Sequence, residues 1–382
     1  MKIGIVLYPT FGGSGVVATE LGKALAQKGH LIHFISYSNP VRLGSFRQNI
    51  VYHEVQVTEY PLFEYQPYET ELASKIVDVV KHEGLDLLHV HYAIPHASAA
   101  FMAQQILKAQ GIHIPFITTL HGTDITLVGK DPSFEPVISF CINSSNAVTA
   151  VSDSLRRDTY KHFDTNRPIE VISNFVTVRK ALPDDVSLSR NCYASEDEYI
   201  LCHISNLRPV KRIADVVKIF YLVQEQVKAK LIIVGDGPDR ILAERLGREL
   251  GISHQIIFTG NVRETAQILE ISDLFLLPSE TESFGLAALE AMAQGVPVIS
   301  SNTGGIPEVN KHEFSGFVSS VGDVENMAEN AMRILENKQT LHQFKLNALE
   351  QAKEFDLQKI LPVYEKLYQK VIDNCASTPF QQ

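Results

Sequence analysis

Two glutamates, Glu282 and Glu290, stand eight positions apart in Pro-Ser-Glu-Thr-Glu-Ser-Phe-Gly-Leu-Ala-Ala-Leu-Glu-Ala-Met-Ala, residues 278–293. An apolar run ends just before this stretch, and a helix is predicted to begin near Ser283 or Phe284, with Ser283 as its N-cap. Glu290 would lie about two turns into that helix, among small and apolar residues, and lean back toward the helix start. A carboxylate buried among Ala, Leu and Met is costly unless it is hydrogen-bonded. Two neighbouring sugar hydroxyls are donors of the right kind. Glu282, taken alone, is either a second hydroxyl partner or a solvated loop acid.

Three cations occur in Leu-Arg-Pro-Val-Lys-Arg, residues 207–212, where a second helix is predicted to open. Arg208, Lys211 and Arg212 there oppose the preference of a helix start for negative charge. A bound diphosphate would neutralise them, although a solvated charge cluster reads the same way. Two glycine-bearing turns, residues 235–239 and 302–308, also follow apolar runs; the second offers bare N–H groups to a phosphate.

In the first half, Phe11-Gly12-Gly13-Ser14-Gly15 follows the first apolar run and leads into a helix predicted near Val16. The segment from Gly13 to Ala18 satisfies the dinucleotide spacing, yet no carboxylate follows the next strand, which ends Ser36-Tyr37-Ser38. That disfavours a nicotinamide dinucleotide and leaves a phosphate, another ligand, or a plain turn. His89, His91 and His96 cluster around a strand end, but no Asp, Glu or Cys accompanies them, and no metal site is expected. His121, in His-Gly-Thr-Asp after another apolar run, suits a donor to a substrate hydroxyl or phosphate and equally suits a loop histidine tied to backbone.

Short Val- and Ile-rich runs alternate with amphipathic segments throughout. Strands are predicted at 2–8, 30–36, 50–57, 85–90, 116–120 and 147–151, then at 199–204, 230–234, 256–259, 274–277, 298–300 and 316–318. Helices fit 16–28, 70–82, 98–110 and 152–162, then 213–226, 240–250, 264–271, 284–294 and 324–336. Continuous apolar strands between helices predict parallel sheets covered on both faces. The polar stretch 177–197, with Pro183, separates two such units. A charged helical stretch from 338 to about 373 is predicted to break at Pro362. The expected architecture is α/β, two Rossmann-like doubly wound domains facing across a cleft, with ligands at the carboxyl ends of strands.

The chain has 382 residues, with 34 Lys plus Arg against 44 Asp plus Glu and a formal charge of −10. That balance argues against a nucleic-acid or anionic-membrane coat. Cys141, Cys192, Cys202 and Cys375 form no CxxC pair, which suits a reducing compartment. No stretch approaches a membrane span, and the first ten residues read as a strand rather than a leader. A cytoplasmic protein with small-molecule substrates is expected, and a homo-oligomer is compatible with everything above.

Taken together, Gly13-Ser14-Gly15, the Val-Gly-Asp-Gly-Pro run, the pair Glu282 and Glu290, and Thr-Gly-Gly-Ile-Pro-Glu resemble the family 4 retaining GT-B glycosyltransferases over essentially the whole chain. The resemblance implies an N-terminal acceptor-binding domain (1–175, with 361–382 packing back on it) and a C-terminal nucleotide-sugar domain (176–360). It implies no cofactor and no required metal. Within the family the chain is similar to a branch that opens bacillithiol biosynthesis by joining GlcNAc from UDP-GlcNAc to the hydroxyl of L-malate; an inositol phosphate or a cell-envelope sugar is the alternative acceptor. A non-catalytic sugar-nucleotide sensor would keep the same motifs. By resemblance Glu290 binds the ribose, Lys211 the diphosphate and Glu282 the donor sugar, beside the backbone of Phe284, Gly285 and Leu286, while His121 contacts that sugar near the reacting carbon. Gly13, Ser14, Gly15, Asn206 and Arg208 complete the expected donor contacts; Asn206 stands where many relatives carry Arg, so that diphosphate contact is not transferred. For the malate dianion, Arg42 is the expected cation, with Ser14, Tyr92 and Thr119 as helpers.

Overall fold

A computed structural model describes residues 1–10, 12–44, 48–56, 67–127, 131–178, 189–262 and 264–377. Phe11, Val57, residues 179–188 of the predicted boundary stretch with Pro183, and residues 378–382 lie outside the described residues. The chain divides into two compact units, Met1–Asn174 with Gln358–Gln382, and Phe175–Leu357.

The first unit holds seven parallel strands: β1 (Lys2–Val6), β2 (Leu31–Ser36), β3 (Ile50–Glu54), β4 (Leu87–His91), β5 (Phe116–Leu120), β6 (Ala147–Ala150) and β7 (Ile169–Val171). Their order is β3-β2-β1-β4-β5-β6-β7. Its helices are α1 (Gly13–Gln27), α2 (Tyr68–Glu83), α3 (Ser98–Lys108), α4 (Glu135–Ser144) and α5 (Asp153–His162). Central strands such as β4 and β5 are buried at every position, as helices on both faces require.

The second unit repeats this plan with β8 (Tyr199–Ile204), β9 (Ala229–Val234), β10 (Ile256–Gly260), β11 (Leu274–Leu277), β12 (Val298–Ser301) and β13 (Gly316–Ser319), ordered β10-β9-β8-β11-β12-β13. Helices α6 (Ile213–Gln224), α7 (Arg240–Glu249), α8 (Thr265–Glu270), α9 (Leu286–Ala293), α10 (Ile306–Val309), α11 (Val324–Leu335) and α12 (Lys338–Ala352) alternate with them. Leu201, Val217, Phe220, Leu231, Ile233, Leu274 and Met327 form part of one buried cluster between sheet and helices. Beneath it Asp273, 6% exposed, accepts from Arg190 Nη2 at 2.6 Å, Lys345 Nζ at 2.9 Å and the Ile200 amide at 3.0 Å. The two ends of the unit run side by side: Val176 N donates to Phe355 O at 3.1 Å and Leu357 N to Val176 O at 2.9 Å.

The last helix, α13 (Leu357–Ala376), runs through Pro362. The predicted break falls earlier, at the 3-10 turn Lys353–Phe355, where the chain leaves the second unit. Tyr364 and Tyr368 of α13 are buried, and Tyr368 Oη lies 2.7 Å from His89 Nδ1 of β4. No described helix is long and apolar enough to cross a membrane.

Candidate active site

Each sheet reverses its strand order once, between β1 and β4 and between β8 and β11. Loops leaving the carboxyl ends of such strand pairs diverge, and ligands of doubly wound sheets bind there. In the second unit three loops converge at that point. Glu280 N, after β11, donates to Val210 O, after β8, at 2.8 Å, and Gly305 N, after β12, donates to Glu282 O at 2.9 Å. Gly304 has φ +55°, and a Cβ there would sit 1.9 Å from Glu282 O. Only glycine lets the Thr-Gly-Gly loop lie so close to the Glu282 backbone.

That convergence brings Lys211 Nζ to 2.5 Å from Glu282 Oε2, with both side chains largely enclosed. Lys211 ends the 3-10 turn Pro209–Lys211. Arg212 follows with φ 51° and turns its guanidinium onto Asp215, 2.6 Å away in the first turn of α6. One of the three predicted phosphate-facing cations is thus neutralised within its own helix start. Asn206 and Arg208 are exposed on the same loop.

The helix carrying Glu290 begins later than predicted. Gly285, with φ 95°, is the N-cap and Leu286 the first residue of α9; Ser283 precedes both. A left-handed cap is a glycine position, so the backbone rather than the Ser283 hydroxyl sets the start. Phe284 is buried, its ring 5.6 Å from that of Phe355, which leaves only its backbone for a ligand. Glu290 is half-buried rather than enclosed in an apolar shell.

In the first unit α1 starts at Gly13, so Gly13, Ser14 and Gly15 form its first turn rather than a loop before it. Their N–H groups are the ones a helix leaves unpaired. Tyr92, after β4, donates its hydroxyl to Ser14 Oγ at 2.6 Å across the strand-order reversal. The His121 ring lies 5.2 Å from the Tyr92 ring, and His121 Nε2 is 2.8 Å from His91 Nδ1. Burial lowers the pKa of His121 to about 3 and that of His91 well below its usual value, so both rings are neutral and share one proton. His91 Nε2 is buried without a partner among the described residues. An orphaned lone pair is more tolerable than an orphaned N–H, which assigns the shared proton to His91 Nδ1 and leaves His121 protonated on Nδ1.

Asp124, 2% exposed, accepts from Ala93 N at 2.8 Å and Gly122 N at 3.1 Å. Burial outweighs those bonds and raises its pKa to about 6. It clamps the His121 loop to the turn after β4, a role that the sequence alone did not assign. Thr119 does not serve as predicted. It is fully buried, and its hydroxyl meets His89 Nε2 at 2.7 Å and Thr149 Oγ1 at 2.6 Å. His89 is likewise interior. Arg42 is exposed between β2 and β3, with φ 62° and its carbonyl accepting from Lys23 Nζ at 3.2 Å.

Two switch-point sites on two parallel sheets, one holding a Lys–Glu pair beneath glycine-rich turns, define a GT-B glycosyltransferase architecture. The sequence matches Glycosyltransferase Family 4 over residues 11–180 and Glycosyl transferases group 1 over residues 188–351. It is 46% identical over 97% of both chains to N-acetyl-alpha-D-glucosaminyl L-malate synthase of Bacillus anthracis. Among solved structures, sucrose-phosphate synthase of Thermosynechococcus elongatus superposes with a TM-score of 0.79 at 19% identity, covering 98% of this chain and 100% of that one. Anabaena HepE in complex with UDP and glucose gives 0.78 at 20%, covering 96% and 99%. The chain belongs to the family 4 glycosyltransferases.

Proposed function

We propose that this enzyme transfers N-acetylglucosamine, with retention, from UDP-GlcNAc to the hydroxyl of L-malate, the first step of bacillithiol biosynthesis, in the cytoplasm and without a metal ion or cofactor in the transfer step. The observation that carries the reading is the 2.5 Å contact between Lys211 and Glu282. A cation for a diphosphate and an acid for sugar hydroxyls are neighbours, as phosphate and sugar are in a nucleotide sugar. Identity of 46% to a protein named for GlcNAc and malate supports the choice of donor and acceptor.

In this reading Glu290 takes the ribose hydroxyls, Arg208 and Lys211 line the diphosphate, and Asn206 is a further donor contact. The backbone of Phe284, Gly285 and Leu286 lies beside Glu282 at the sugar. Ser14, Tyr92 and the N–H groups of Gly13 and Gly15 serve the acceptor and the phosphates nearest it, with Arg42 as counter-ion for malate. His121, protonated on Nδ1, contacts the sugar near the anomeric carbon. Glu282 and Glu290 both hold hydroxyls in this reading, and resemblance to the retaining family 4 enzymes implies a front-face substitution with no covalent intermediate. The bond to UDP therefore breaks as the malate hydroxyl approaches the same face, and the departing phosphate accepts its proton. Lys211 stabilises the charge growing on that phosphate, an effect of about 3–4 kcal/mol when such a group is preorganised.

Mass analysis of the product formed from UDP-GlcNAc with a panel of hydroxy acids, inositol phosphates and sugars, with chelator present, tests the proposal. A GlcNAc-malate adduct is expected by mass, with the α configuration read from its anomeric proton by NMR. An adduct with another acceptor, or none without metal, overturns it.

A further inference from the structure

Away from the glycine-rich turns, the edge of the first sheet carries a donor set that the transfer reaction does not use. His33 of β2 and His53 of β3 are diagonal neighbours on one face, since Ile35 is the residue paired with His53. His33 Nδ1 lies 2.9 Å from His53 Nε2. Glu83, the last residue of α2, joins them: one ligand atom from each of the three residues lies within 4.8 Å of the others. We propose that His33, His53 and Glu83 bind one zinc-type divalent ion that staples strands β2 and β3 to the end of α2.

The chemistry of the three groups agrees. Two imidazole nitrogens and one carboxylate oxygen are a borderline donor set, suited to Zn²⁺ with water as fourth ligand and ill suited to Mg²⁺. Glu83 sits at the negative end of the α2 dipole, where an acid is disfavoured and a cation welcome. Among the described residues its carboxylate has no ion pair: Lys2 Nζ donates at 2.8 Å to the Glu83 carbonyl instead. Asp78 and Lys75 of α2 also face His53. Asp78 lies 3.0 Å from His82 Nδ1 and 3.7 Å from Lys75 Nζ, so it is already engaged.

Binding replaces the hydrogen bond between the rings. His33 moves its proton from Nδ1 to the buried Nε2, which has no partner among the described residues, a cost that the metal–nitrogen bonds outweigh, and the metal takes the space between the two nitrogens. The 2.9 Å separation opens slightly, because two nitrogens at about 2.0–2.1 Å from a tetrahedral ion stand a little farther apart. The staple would steady the connection between β2 and β3, on which Arg42 lies.

Calorimetric titration of the untagged, chelator-treated full chain with Zn²⁺, and with Mg²⁺ as control, tests this. One equivalent of Zn²⁺ should bind and raise the melting temperature, with no response to Mg²⁺. Glu83→Gln should weaken binding at least about 10-fold and His53→Asn about 100-fold or more, as expected for lost ligands. His82→Asn, next to the site, should bind as the parent does. The far-ultraviolet circular dichroism spectrum and the metal-free melting curve of the full chain report that each variant is folded; should His53→Asn not fold, Glu83→Gln alone decides. Absence of saturable Zn²⁺ binding, or equal affinity in parent and Glu83→Gln, overturns the proposal.

Discussion

Lys211 and Glu282, 71 residues apart in the chain, meet at 2.5 Å where the loops after β8 and β11 converge. Neither charge is buried beyond the reach of water, so the pair is a poor source of stability and a good receptor for a phosphate next to a hydroxyl. A donor entering here exchanges one partner for two.

Lys211→Ala is therefore expected to lower kcat/KM for donor at least about 100-fold, mostly through kcat, since the lost charge acts on the leaving phosphate. Glu282→Gln should lower it too, and the double variant should lose far less than the two effects combined. Initial-rate measurement of UDP release decides; fully additive losses would mean that the two side chains act on different parts of the donor.

Gly304→Ala forces a Cβ to within 1.9 Å of the Glu282 carbonyl at a positive φ. The loop must move and carry Glu282 with it. UDP-sugar affinity by calorimetry should fall at least about 10-fold while the circular dichroism spectrum is unchanged; parent-like affinity would mean that the Glu282 backbone is not part of the site.

Glu290→Ala should weaken UDP binding, and Arg42→Ala should raise KM for malate with little change for UDP-GlcNAc. The two readouts are independent. Unchanged malate saturation in Arg42→Ala would move the acceptor's counter-ion elsewhere.

Together with His33, whose pKa is lowered to about 4, five further enclosed histidines set the pH dependence of stability. The folded pKa is about 3 for His89 and His121, about 4 for His96 and His203, and well below the usual value for His91. Lowered values mean that the unfolded chain binds more protons below about pH 6.5, so stability is intact above that pH and falls as acid is added. Each ring adds up to about 1.4 kcal/mol per pH unit. Asp124, raised to about 6, acts with the opposite sign, but it is one group against six. Calorimetric melting should show a clearly lower Tm at pH 5 than at pH 7.5, and a shallower slope in His96→Asn. A flat profile would mean that these rings are not held neutral.

Asp273 neutralises Arg190 and Lys345 in a setting that leaves it 6% exposed. Asp273→Ala strands two cations and should cost about 3 kcal/mol in urea unfolding, the lower end for broken enclosed pairs because both cations remain partly wet. A loss below about 1 kcal/mol would mark the cluster as a surface feature.

Much of this architecture was readable in advance because buried parallel strands leave a plain trace: β5, β8 and β11 are short, largely apolar runs bounded by turn residues, and they formed where their composition indicated. The Glu282–Glu290 spacing likewise marked the loop after β11. What the residue types could not reveal was partnership. Lys211 with Glu282 and His91 with His121 are contacts between loops or strands far apart in the chain, and Arg212 looked available until Asp215 claimed it. Thr119 misled because alternation along β5 turned its hydroxyl inward. Pro362 misled because a proline early in a helix removes a bond that is barely established there.

The hydrogen bond between His89 and Tyr368 spans 279 residues, and the whole of the second unit lies between its two ends. On a ribosome the central strand of the first sheet emerges early yet lacks this partner until α13 has been read. The middle of the chain has both of its own ends by then and can close first. A stop codon placed just before α13 would thus spare the later-made half of the molecule and leave the earlier-made half with an open seam.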